Sequence, residues 1–117
     1  MAQYVFSPEK EFGKGCDLAI LHNCHVVLVE IKRCNLSIHD ISRAIVQLSV
    51  TENRLRKQFM RCSFMKLFIH DKSSRCKVYG NAVIMIEKER IQFLSTGYSE
   101  NARKLVNLYR KILRNKA

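Results

Sequence analysis

The chain reads as an α/β domain, a mixed β-sheet flanked by helices in one unit spanning residues 1–117. Three observations point there. Two short apolar runs of period two are joined by a tight connection between Asp17 and Lys32. Apolar residues then recur at helical spacing from Ile38 to Phe59. Further strand-like runs follow, and a second amphipathic helix closes the chain. With 117 residues and 47% hydrophobic content, the chain has room for one modest core.

Taken in order, Gln3 to Phe6 reads as a short first strand and Ser7 to Gly15 as a polar, glycine-containing loop. Asp17 to Leu21 and the β-branched run through Val26-Val27-Leu28-Val29-Glu30-Ile31-Lys32 flank His22-Asn23-Cys24-His25, the length of an antiparallel turn. A turn centred on Asn23-Cys24 sets Ile20 against Val27, Leu18 against Val29 and Asp17 against Glu30. Val27, Val29 and Ile31 then share one face, and Glu30 and Lys32 the other.

Ser37 with Asp40 three residues on marks a helix start. Ile38, Ile41, Ile45, Leu48, Leu55 and Phe59 give it an apolar stripe of about six turns. Glu52 falls on that stripe, and pairing with a nearby arginine is the expected explanation. Lys66 to His70 reads as a buried strand ended by the Asp71-Lys72-Ser73-Ser74 turn, and Cys76 to Tyr79 fits a short strand. Ala82 to Ile86 and Ile91 to Leu94, flanking Glu87-Lys88-Glu89-Arg90, predict a second hairpin. A last helix over 99–114 carries Ala102, Leu105, Val106, Tyr109, Ile112 and Leu113 as its core stripe.

Lysine and arginine number 21 against 10 acidic residues, a net charge of +11. Such an excess suits a polyanion. Nucleic acid is the first candidate, since neutralising phosphates releases counterions; on charge alone an acidic protein or an anionic membrane surface is the alternative. Exposed Arg43, Arg54, Arg56, Lys57 and Arg61 on the first long helix suit phosphate contacts along DNA. No glycine-rich phosphate loop signals a nucleotide cofactor, and no signal peptide or membrane span is evident, so an intracellular protein is expected. The five cysteines show no paired C-x-x-C spacing. Free thiols are therefore expected over a zinc site drawn from Cys16, His22, Cys24 and His25, with a disulfide left open.

The informative chemistry lies in the first hairpin. Two carboxylates with side-chain roots about 5 Å apart repel, and burial raises the cost, so Asp17 and Glu30 should share a proton or hold a cation. A hard divalent ion takes oxygen ligands, and a neighbouring lysine offsets negative charge developing on a phosphate oxygen. The plainer alternative is a solvated Asp17 beside a Glu30–Lys32 salt bridge on an edge strand.

Asp17, then Glu30-Ile31-Lys32 closing an apolar strand, then a helix bearing Gln47, resembles the core of the PD-(D/E)XK nuclease superfamily, which includes restriction endonucleases and archaeal Holliday-junction resolvases. The resemblance covers roughly residues 15–60. It implies a minimal restriction-endonuclease-like fold and a nuclease hydrolysing DNA phosphodiester bonds with Mg²⁺, or Mn²⁺ as substitute. Asp17 and Glu30 would be metal ligands with the backbone carbonyl of Ile31, Lys32 the catalytic lysine, and Gln47 the helical glutamine near the site. Two departures stand out. Cys16 occupies the position of the family's proline, and the family usually opens with a helix supplying another acid. Only Glu9 and Glu11 are available for that role, in a stretch that does not read as a helix. On DNA, symmetric cutting or junction resolution by so small a chain requires a homodimer. The alternatives are a catalytically inactive nucleic-acid-binding module of the same fold, or a basic subunit docking on a larger protein.

Overall fold

A computed structural model describes residues 3–33, 36–71 and 80–115 of the chain. The elements run β1 (Tyr4–Phe6), α1 (Pro8–Phe12), β2 (Leu18–His22), β3 (His25–Arg33), α2 (Ile38–Arg56), β4 (Ser63–Asp71), α3 (Gly80–Lys88), β5 (Ile91–Ser95) and α4 (Glu100–Asn115). The five strands lie side by side in chain order. β1, β2 and β3 form an antiparallel meander; β4 and β5 continue the sheet in parallel, and each needs a helical crossover, supplied by α2 and α3.

The hairpin register is the expected one, with Leu18 opposite Val29, Ile20 opposite Val27 and His22 opposite His25. Its two-residue turn puts Asn23 and Cys24 at φ 47° and 61°, the left-handed pair that matches strand twist. Alternation along β3 then divides the core. Val26 and Leu28 join Ala19, Phe68 and Ile91 beneath α2 and α3, while Val29 joins Leu18, Ile20, Leu67 and Ile69 beneath Ala102 and Val106 of α4.

The capping box of α2 is complete. The Ser37 hydroxyl accepts the Asp40 N–H, and the Asp40 carboxylate accepts the Ser37 N–H. The Ser37 hydroxyl also donates to the Asp40 carboxylate at 2.8 Å, and this bond first, then the one from the Ser37 N–H, holds the Asp40 carboxyl below its ordinary range. The helix buries Ile41, Ala44, Leu48, Thr51 and Leu55. Two ends of the expected stripe differ. Ile38 is 66% exposed, and Phe59 lies beyond the helix, although it packs on the same core. Glu52 takes the expected part: Arg56 and Lys66 both pair with it. Burial works to raise its carboxyl, but these two cations outweigh that and leave it lowered.

The second hairpin is not formed. Gly80–Lys88 is a helix whose buried positions, Ala82 and Ile86, are four residues apart, and β5 pairs in parallel with β4. Arg90, at φ 60°, makes the turn between them. Ser7 to Gly15 likewise is not all loop, since Pro8–Phe12 is a short helix with Pro8 at its start and Gly13 left-handed at its end. Asp71, expected to open the turn, instead closes β4, and residues 72–74 of that expected turn lie outside the described residues. The strand considered over Cys76 to Tyr79 lies outside the described residues.

Cys24 and Cys62 form a disulfide, which corrects the expectation of free thiols at these positions and removes Cys24 from any zinc site. The pairing follows from topology. In the parallel register His25 is beside Ser63, so each preceding residue meets the other at the strand entrances. Cys16 is a buried free thiol, and burial pushes it up to about 12, which leaves it unreactive at neutral pH. Cys34 and Cys76 lie outside the described residues. Among the described residues no helix is long and apolar enough to cross a membrane.

Candidate functional site

β3 is flanked on both sides, so residues at its end are enclosed by whatever the neighbouring elements bring there. Glu30 sits on the α2 face of that end and is 3% exposed. Asp17 lies one residue before β2, opposite Glu30 by continuation of the hairpin register. Its Oδ2 accepts the Ile31 N–H at 2.7 Å, and the Tyr109 hydroxyl donates to Oδ1 at 3.5 Å. Asp17 and Glu30 also hydrogen-bond each other through their side chains. Burial first, then the Asp17 charge and hydrogen bond, push the Glu30 carboxyl up to about 9. At neutral pH it is therefore protonated, the proton-sharing state expected for two opposed carboxylates.

Glu9 completes the group. α1 carries it to Asp17, where the two carboxyls hydrogen-bond, and burial followed by Asp17 raises Glu9 as well. Three contacts hold this five-residue helix in place. The Glu9 N–H donates to the Cys16 carbonyl at 3.1 Å, Phe12 meets Phe6 edge-on, and the Arg54 guanidinium covers the Phe12 ring at 3.9 Å. Glu11, the other acid considered, does not line the cavity.

Lys32 follows Glu30 on the same face. It lines a cavity of about 80 Å³ together with Glu9, Gly15, Asp17, Glu30, Arg43 and Gln47. The cavity has room for an ion and one or two waters at about 30 Å³ each. Five sequence-nominated groups thus meet: Asp17, Glu30, Lys32, Gln47 and one of the two optional acids. Ile31 contributes its N–H. Of the basic residues expected to bind DNA, Arg43 is at the cavity itself. Arg54 is stacked on Phe12; Arg56 is committed to Glu52 and to the Phe64 ring; Lys57 and Arg61 are exposed elsewhere.

The chain matches no protein-family model, no curated protein and no solved structure.

Gln47 has a structural task that its sequence position did not disclose. Its side-chain oxygen accepts the Gly15 N–H at 3.0 Å, and Thr51, one turn on, accepts the Cys16 N–H at 2.8 Å. The Thr51 hydroxyl donates in turn to the Gln47 carbonyl. α2 therefore grips two consecutive amides immediately before Asp17. Thr51 and Tyr109 are the residues that sequence reasoning missed. Thr51 carried a usable signal, a buried-side threonine four residues from Gln47, whereas Tyr109 looked like any core aromatic. Gly15 fits this grip tightly: at φ 128°, an added Cβ would lie 2.9 Å from the Thr51 hydroxyl and 3.1 Å from Pro8 Cβ. Gly15→Ala is expected to lower stability by about 2 kcal/mol through strain and crowding, read as a shift in the urea midpoint with unchanged slope.

The donor set of three carboxyls is all oxygen and suits a hard divalent cation such as Mg²⁺ or Mn²⁺ rather than zinc. In the geometry seen, the carboxyls engage one another, and among the described residues no group of three or more acidic, histidine or cysteine side chains is arranged to hold an ion. The residues fit a cation in charge and chemistry; proton release from Glu30 is the adjustment they need.

Proposed function

We propose that this chain is a small divalent-metal-dependent nuclease, acting on DNA phosphodiester bonds on a restriction-endonuclease-like version of the α/β fold. The observation that carries the reading is the convergence of Glu9, Asp17, Glu30 and Lys32, from three separate elements, around one small cavity that also receives Arg43 and Gln47. Nothing in packing requires three carboxyls there, and their mutual repulsion costs stability. The bound cation would polarise a phosphoryl oxygen and lower the pKa of attacking water. Asp17 and Glu30 would hold that charge, with Glu9 as the third acid. Lys32 is the group available to orient the nucleophile and offset charge on the phosphate, and Arg43 to bind the adjoining phosphodiester. The net charge of +11 supports approach to DNA. Cutting of both strands, or of a junction, would require two copies.

The test is incubation of the protein and of Lys32→Ala with labelled duplex, single-stranded and four-way-junction DNA, with and without Mg²⁺ or Mn²⁺. Metal-dependent cutting is expected, reduced at least about a hundredfold in Lys32→Ala, with DNA binding retained. Equal cutting by both proteins would remove the mechanism.

A second reading has its own support. Glu9, Asp17 and Glu30 are engaged by hydrogen bonds to one another, as they would be in a nucleic-acid-binding module that no longer hydrolyses. Salt-sensitive binding without cutting on any substrate would select it.

A further inference from the structure

On the opposite face of the sheet, at the same end, lies a second polar cavity. It measures about 360 Å³ and is lined by Asp71, Thr96, Arg103, Val106, Asn107 and Arg110. Arg103, Asn107 and Arg110 follow one another at spacings of four and three along α4, so they form a single stripe facing the ends of β4 and β5. The Asp71 carboxylate accepts from Arg110 at 2.7 Å and lies 3.7 Å from Arg33. Two guanidiniums therefore flank one carboxylate, and Arg103 adds a further positive group to the cavity lining, so positive charge is in excess there. Arg110 spends one of its five N–H donors on Asp71. Among the described residues Arg103 makes no ion pair. The cavity opens beyond the carboxyl ends of parallel strands, where α/β sheets commonly take ligands.

α4 also joins this cavity to the acidic group. Tyr109 donates to Asp17 while the next residue, Arg110, donates to Asp71. Across the sheet, Arg33 is the strand neighbour of Asp71 and follows Lys32 directly. Consecutive residues of α4 thus contact one carboxylate of each cavity at the same sheet end.

We infer that the Arg103–Asn107–Arg110 stripe binds a phosphate group, with Asp71 holding Arg110 in the orientation that presents its remaining donors. A guanidinium pair with an amide between them offers several N–H donors to a tetrahedral oxyanion, and Asp71, already neutralised, does not oppose it. The phosphate could come from a nucleic-acid strand running past the acidic group or from a small free phosphate. The strand source rests on the nucleic-acid reading above, and the site itself does not.

Two measurements on the metal-free protein test the inference without reference to cleavage. The first follows backbone amide shifts during titration with inorganic phosphate against chloride at equal ionic strength. The second follows binding of a fluorescent duplex over a salt series for the protein, Arg103→Gln and Lys104→Gln. Arg103 is exposed and unpaired, so its variant should fold, and Lys104, its exposed neighbour, controls for loss of one charge. Expected are phosphate-specific shifts at Thr96, Asn107 and Arg110, with Arg103→Gln weakening duplex binding about tenfold at low salt and reducing the salt slope by about 0.9, and little change in Lys104→Gln. Phosphate shifts with identical duplex binding by both variants would assign the site to a small phosphate. Absence of phosphate-specific shifts together with indistinguishable variants would overturn it. A failure of the unaltered protein to bind duplex would count against the nucleic-acid reading, while the phosphate shifts still decide the cavity.

Discussion

Without metal, the protein is expected to lose stability steadily as pH rises from about 4.5 towards about 9. Glu30 carries the effect. Its carboxyl has its ordinary value when the chain is unfolded and is raised when folded, so between the two values the native state holds a proton that the unfolded state does not. Stability is then fully present below the lower value and is lost as pH climbs through the upper one. The slope in mid-window approaches about 1.4 kcal/mol per pH unit, or about 6 kcal/mol over the whole range. Glu9 shifts in the same direction and adds to it. Glu30→Gln keeps a hydrogen-bond donor towards Asp17 and has no charge to bury. Its urea midpoint should therefore vary much less with pH, only the smaller Glu9 contribution remaining, and at pH 8 it should exceed that of the unaltered protein. A parallel pH dependence in both proteins would assign the slope to other groups. Saturating Mg²⁺ should flatten the profile of the unaltered chain, because a cation replaces the proton.

Reduction of the Cys24–Cys62 disulfide is expected to be the other large effect. The bridge spans 38 residues and encloses β3 and α2. The chain-entropy relation assigns a loop of that length about 4 kcal/mol. Cys24→Ser with Cys62→Ser, compared with the oxidised protein by thermal melting, should show a drop of about 15 °C or more for a domain of this size. An unchanged melting temperature would mean that the unfolded chain gains little freedom when the bridge is absent. The site lies at the far end of β3 from this bridge, so the DNA binding proposed above should survive the double substitution at low temperature.

The parts of this fold that were legible in the sequence are those whose determinants are local. The β2–β3 register follows from turn length and period two, and the start of α2 follows from Ser37 and Asp40, which satisfy each other within one helical turn. That is enough to bring Asp17, Glu30 and Lys32 together on paper. Ala82 to Ile86 was not legible, because five consecutive apolar residues fit a strand or a helix equally well. The parallel crossover from β4 to β5 decides for the helix. α1 was hidden for a different reason. Five residues cannot nucleate a helix alone, and this one is held by Phe6, Arg54 and the Cys16 carbonyl, which arrive from other elements. Glu9 therefore reached the site by tertiary contact. The disulfide was equally invisible, since only the parallel register sets Cys24 beside Cys62.

The grip of Gln47 and Thr51 on Gly15 and Cys16 has a wider meaning. Almost everywhere in this domain, what each segment prefers and what the whole requires coincide, which is the condition of a smooth folding landscape. The acidic cluster is the exception: three carboxyl groups pressed together, which cannot all ionise without repulsion, each restrained by a different anchor, Glu9 by α1, Asp17 by the amide clasp and Glu30 by the middle of the sheet. Local frustration there is sustained by order elsewhere. A cation entering the cluster would relieve that conflict and return the gain to the entire fold as linked stabilisation, so the melting temperature of the chain becomes a gauge of its own ligand.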